Sequence, residues 1–350
     1  MQHCILHIGI PKTGSKSIQQ TLYMNRDRLA EAGILYQTTL DPEDGTVAHH
    51  KLGANLRGSA KQNRLTGITL SEFGEILRTT SADIVVISSE SLSNPHLNAE
   101  RVQRLAQLIT GNGFIPTAVA YIRPQPSLAN SEYGQAVKSF TFDGSFADFI
   151  ETRNHRSWRM DERLAPWSDE SKIQFIAVPF TPENTGIDIA AKMLKRAGIP
   201  PARVDAVHLE PAGSLNEAPG PVAVAAFRML SRRPEFCRFK DEASSRRAAR
   251  EEATRRGWFR DRFVGLDDPR AARIRARFEK ENEAFARRFF DRPWHTVFAA
   301  DYERHWEPNE IDLGAIPPEV KPALDDFVAT LAANLSAPHS AAPLTLSPSP

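Results

Sequence analysis

Residues 7–17 read HIGIPKTGSKS. The apolar run CILHIGI (4–10) stops there. SKSIQQTLYMNRDRLAEAG follows with Ile18, Leu22 and Leu29 on a helical period, so the segment is a loop between a strand and a helix. In that position successive backbone N–H groups and the helix N-terminus converge on one point, which suits a phosphate. Gly14 allows close approach, Lys12 adds a full charge, and Ser15 and Ser17 add hydroxyl donors. The bland alternative is a plain strand-to-helix turn with an incidental lysine. Lysine, glycine and hydroxyls converging where an α/β sheet binds ligands favour phosphate over it.

The loop differs from the nucleoside triphosphate motif GxxxxGK[ST]. Gly9 and Gly14 have its spacing, but Ser15 is interposed before Lys16-Ser17, which turns that lysine elsewhere. Two further places carry candidate chemistry. Glu90 ends the apolar run DIVVISSE, where the carboxyl end of a parallel strand opens toward a ligand crevice, so it is the first choice for a general base. A capping or salt-bridged glutamate is the competing reading. His50, with its neighbour His49, is the alternative base because imidazole titrates near neutrality, and an exposed loop pair is the competing reading there. Ser88 and Ser89 lack the His-Asp context of a nucleophilic serine.

PKTGSKS resembles the 5′-phosphosulfate loop of the sulfotransferase family, PK[ST]G[ST][ST], at Pro11, Lys12, Thr13, Gly14 and Ser15. Lys16 stands where that family usually carries a second hydroxyl, and Ser17 follows it. Arg123 at a strand end and Ser131 eight residues on look like the family's 3′-phosphate element. A guanidinium can grip phosphate bidentately there while a hydroxyl fixes another oxygen. ENEAFARRFF (281–290) is similar to a late helix of bacterial members.

The resemblance implies a P-loop-like α/β fold and 3′-phosphoadenosine 5′-phosphosulfate (PAPS) as donor, without a metal. It implies sulfuryl transfer to an acceptor hydroxyl of a carbohydrate, lipid or small metabolite. Lys12 would then be the electrostatic group at the leaving phosphate and Glu90 or His50 the base. Two alternatives stay open: a P-loop kinase or NTPase using Mg-ATP, and a non-catalytic protein that keeps the fold and binds a partner.

The elements that must position these residues alternate along the first 200 residues. Strand candidates are 4–10, 34–39, 83–90, 116–123 and 172–180. Helix candidates are 15–33, 49–56, 70–80 opened by Ser71, 99–113, 126–139 and 188–198. This order predicts a three-layer α/β fold with a central parallel sheet of about five strands. After residue 205 the strand pattern ends, and 220–233, 241–256 and 269–290 read as helices. The expectation is one domain over 1–335, with an α/β core (1–205) and a helical extension (206–335), then a Pro/Ser/Ala-rich disordered tail (336–350). The loops 41–62 and 140–170 carry no readable pattern.

Composition excludes little else. Of 350 residues, 44 are Lys or Arg and 43 Asp or Glu, and residues 228–292 hold 20 of the former against 12 of the latter. A solvated helix face accounts for that excess, so nucleic acid is not an expected partner. Cys4 and Cys237 form no disulfide framework or metal knuckle. No apolar stretch approaches the roughly 18 residues needed to span a bilayer. With no basic, apolar leader at the start, the expected compartment is the cytoplasm.

Overall fold

The computed structural model describes residues 2–36, 47–59, 67–152, 155–168, 172–212, 218–237 and 242–336. In chain order it runs β1 (Gln2–Ile8), α1 (Ser15–Met24), α2 (Arg26–Glu31), β2 (Ile34–Leu35), α3 (His50–Leu56), α4 (Leu70–Thr79) and β3 (Ile84–Ser89). There follow α5 (Ala99–Gly111), β4 (Phe114–Ile122), α6 (Gln125–Lys138), α7 (Phe146–Thr152), α8 (Met160–Ser168), β5 (Gln174–Pro179), α9 (Ile189–Arg196) and α10 (Pro201–Ala206). Seven helices complete it: α11 (Pro221–Ser231), α12 (Pro234–Cys237), α13 (Ala243–Arg255), α14 (Asp268–Phe289), α15 (Trp294–Val297), α16 (Ala299–Tyr302) and α17 (Lys321–Ser336).

The five strands form one parallel sheet in the order β2-β3-β1-β4-β5, which is the expected α/β architecture. β1 lies at its centre, with His7 opposite Ser88 on one side and Val119 on the other. Helices cover both faces, which is why β3 is buried at every position and reads as a continuous apolar run. On one face Ile5, Val86 and Val119 pack against Ile18 and Leu22 of α1 and Met193 and Leu194 of α9. α5 and α8 lie against β4 and β5, and α14 continues this layer by packing on α8. The chain leaves β1 toward β2 and leaves β4 toward β5, so the crevice between their carboxyl ends is the switch point where such sheets bind ligands.

The chain folds into two compact units. The first takes Met1–Leu128, Asn154–Asn216 and Asp268–His305, and holds the sheet. The second takes Ala129–Arg153, Glu217–Asp267 and Trp306–Pro350. The helices after residue 206 are therefore shared out, with α14 in the sheet unit and α11, α13 and α17 in the other. Among the described residues no helix is long and apolar enough to cross a membrane.

Several elements differ in detail from expectation. The helix read over 15–33 breaks at Asn25, whose side-chain amide donates to Thr21 O at 2.7 Å and reaches Glu210 O at 2.8 Å. A side chain that competes for helix carbonyls interrupts the ladder there. The strand read over 34–39 pairs only at Ile34 and Leu35, and its residues 37–39 lie outside the described residues, as does the tail from 337. α4 is opened by Thr69 rather than Ser71, through a reciprocal capping box with Glu72. The stretch 140–170, without pattern in sequence, contains α7 and α8.

Candidate active site

The loop after β1 is shaped by its backbone. Gly14, the N-cap of α1, adopts φ 80° and offers no side chain to the first-turn N–H groups, which leaves them pointing outward as an anion cradle. A Cβ on Gly14 would lie 2.6 Å from Ile189 Cδ1, so the loop is pressed from outside by the start of α9. Lys12 is itself left-handed, with φ 66°, a conformation uncommon for a residue with a side chain. At Gly9 a Cβ would lie 2.7 Å from Ser15 Oγ and 2.9 Å from Glu90 Cγ, so the bare backbone lets the turn carrying Glu90 close over the loop.

The hydroxyls of the loop point inward. Thr13 is fully buried and its Oγ1 donates to Ile10 O at 2.6 Å. Ser15, also buried, approaches the same carbonyl at 3.4 Å, and its hydroxyl favours the charged form of the neighbouring Glu90 carboxyl. Lys16 is exposed on the first turn of α1, while Pro11 and Ser17 are half-buried.

Arg123, immediately after β4, comes to the same loop. Its Nη1 donates to Lys12 O at 2.8 Å, and its guanidinium lies over the Phe180 ring at 5.5 Å. The strand-end arginine is thus joined to the phosphate loop and is not a surface bystander. Ser131 is half-buried further along α6 and belongs to the second unit.

Glu90 opens a 3-10 turn, Glu90–Ser93, that follows β3 directly and is capped by Ser89 Oγ accepting from Ser91 N. Burial raises the Glu90 carboxyl above the ordinary carboxylate value, against the opposing pull of Lys12, Arg163 and the Ser15 hydroxyl. The sheet thus brings Lys12, Ser15, Glu90 and Arg123 together at the carboxyl ends of β1, β3 and β4.

The two histidines separate in role. His49 is fully buried, its ring meets Tyr36 edge-on at 5.1 Å, and its Nδ1 accepts from Ser88 N at 3.1 Å. The same Nδ1 lies 3.2 Å from Ser88 O, so His49 clamps the end of β3 at one residue. His50 is half-buried, with Nδ1 3.2 Å from Ser89 Oγ, one residue from Glu90.

Two contributors escaped sequence reasoning. Arg163 and Trp167 sit four apart on α8 and grip the Glu90 turn: Trp167 Nε1 donates to Leu92 O at 3.0 Å and Arg163 Nε to Ser93 O at 2.7 Å. Their i, i+4 spacing within ERLAPW is the only signal sequence offers. No protein-family model, curated protein or solved structure matches the chain.

Proposed function

We propose that this protein transfers a sulfuryl group from 3′-phosphoadenosine 5′-phosphosulfate to an acceptor hydroxyl of a carbohydrate, lipid or small metabolite. The observation that carries this reading is the meeting of Arg123 with the Lys12 loop, 2.8 Å apart, beside an uncapped helix N-terminus and the half-buried Glu90 carboxyl. One phosphate can be held by the α1 N–H groups and Lys12, and a second anionic group can be held by Arg123. The resemblance of PKTGSKS and of the Arg123/Ser131 spacing to sulfotransferases supplies the donor's identity.

In the reaction the acceptor oxygen bonds to sulfur as the bond from sulfur to the phosphate oxygen breaks. The acceptor proton passes to the Glu90 carboxylate, and Lys12 neutralises charge that grows on the departing phosphate. His50 is held within one residue of Glu90 and is the alternative proton acceptor. Incubation with 35S-labelled donor and panels of sugar, lipid and small alcohol acceptors tests the reading. Labelled ester should form with one class and fall about 10²- to 10³-fold in Lys12→Ala. Absence of transfer to every class by wild-type protein, or undiminished transfer by Lys12→Ala, would contradict it.

A further inference from the structure

The Glu90 turn is fastened to the phosphate loop from behind. Arg163 on α8 is buried, at 6% exposure, and three of its hydrogen bonds go to neutral oxygens: Ser93 O at 2.7 Å, Ser93 Oγ at 2.9 Å and Ser157 O at 3.0 Å. The Ser93 hydroxyl in turn donates to Gly9 O at 2.8 Å, with Glu90 O at 3.1 Å on its other side. A chain of hydrogen bonds therefore runs from a buried guanidinium through one hydroxyl to the first residue of the loop, and the same hydroxyl touches the backbone of Glu90. Bonds with an ionised donor are about twice as strong as neutral ones, so the guanidinium stiffens the whole bracket.

A second consequence is electrostatic. A buried cation is costly unless hydrogen bonds compensate it, as those to Ser93 and Ser157 do here, and its charge also acts on the nearby Glu90 carboxyl. The groups facing Glu90 are Lys12 from the loop, Ser15 from α1, Arg163 from α8 and, through Ser89 Oγ, His50 from α3. Lys12 would also face the anionic ligand in the proposed reaction, whereas Arg163 lies behind the turn, bonded to Ser93 and Ser157.

We propose that Arg163 is a positioning residue for the Glu90 base. Through Ser93 it sets the spacing between Glu90 and the phosphate loop, and it holds behind the Glu90 turn a fixed positive charge that ligand binding at Lys12 does not remove. The inference rests on the proposed reaction for the meaning of Glu90 as a base, but the bracket itself can be tested without substrate.

The test combines the 13C titration of the Glu90 side-chain carboxyl, assigned by its loss in Glu90→Gln, with calorimetric binding of adenosine 3′,5′-bisphosphate. In Arg163→Gln the Glu90 midpoint should rise by about one pH unit or more. Arg163→Lys keeps the charge and should leave the midpoint near that of wild type, yet it loses the planar fork and should weaken bisphosphate binding about tenfold. Ser93→Ala should show the same pattern as Arg163→Lys. A midpoint unmoved in folded Arg163→Gln overturns the electrostatic role, and wild-type bisphosphate affinity in both Arg163→Lys and Ser93→Ala overturns the spacing role. If Arg163→Gln does not fold, Arg163→Met, which removes the charge and keeps most of the side-chain volume, decides the electrostatic role by the same rise in the Glu90 midpoint. If wild-type protein binds no bisphosphate while the Glu90 midpoint still responds to Arg163→Gln, the functional reading fails and the electrostatic role stands.

Discussion

Two regions of the molecule bury charge, and they do so in opposite ways. In the second unit Arg228 Nη1 meets Glu310 Oε1 at 2.8 Å, and the same carboxylate accepts from Phe146 N at 3.0 Å and from the Tyr133 hydroxyl at 3.2 Å. Phe142, Phe149 and Phe263 ring Tyr133 at 5.0 to 6.2 Å. Arg228, Glu310, Tyr133 and Phe146 all have ordinary backbone conformations, and the donors and acceptors answer one another. At the carboxyl end of the sheet, by contrast, Lys12 holds a left-handed backbone, and burial destabilises the charge on Glu90. A closed network stabilises a fold, whereas strain persists where surrounding structure imposes it, as at ligand sites.

The largest effect that would sharpen this contrast is on stability. Arg228→Met leaves Glu310 without its cation and should cost about 3–5 kcal/mol in urea unfolding. Bisphosphate affinity per folded molecule should hardly change. An equal loss of affinity would show that the closed network is also part of the site.

Acid should act on the sheet unit next. His7 is fully buried beside Tyr121, bonded through Nδ1 to Ser88 Oγ at 2.7 Å, and burial pushes its imidazole down from 6.5 to about 4. The fold keeps it neutral, so its contribution is complete above pH 6.5. It drains away as pH falls toward 4, because the unfolded chain takes the proton first. The loss should reach roughly 3 kcal/mol between urea midpoints at pH 7 and pH 4, and should shrink in His7→Gln.

Gly9→Ala forces a Cβ toward Ser15 Oγ, Glu90 Cγ and the Glu90 backbone N. It should cost about 1–3 kcal/mol and weaken bisphosphate binding as well. Full binding would break the claim that the Glu90 turn and the loop are one device. Thr69→Ala, which removes the capping box of α4, should cost only about 1 kcal/mol and leave binding untouched.

Much of this was legible before the structure. β1, β3 and β4 declared themselves as continuous apolar runs because a parallel sheet buries both faces. The loop was legible because glycine, lysine and hydroxyls fall between a continuous apolar run and a period-3.6 pattern. Its internal bonding was not: Ser15 reads as a hydroxyl donor to the ligand, yet both it and Thr13 turn toward Ile10 O. Side-chain direction in a left-handed turn depends on backbone angles that residue types do not specify. Arg163 was hidden for a related reason, since its partner Ser93 is 70 positions away in the chain and is recognised in part through a backbone oxygen.

The most direct test of the central claim is a paired calorimetric titration of adenosine 3′,5′-bisphosphate, without Mg²⁺, against Mg-ATP. The bisphosphate should bind wild-type protein, bind it more tightly than Mg-ATP does, and lose at least tenfold in affinity in both Lys12→Ala and Arg123→Ala. Tighter binding of Mg-ATP, or bisphosphate binding indifferent to Lys12 and Arg123, would contradict the account.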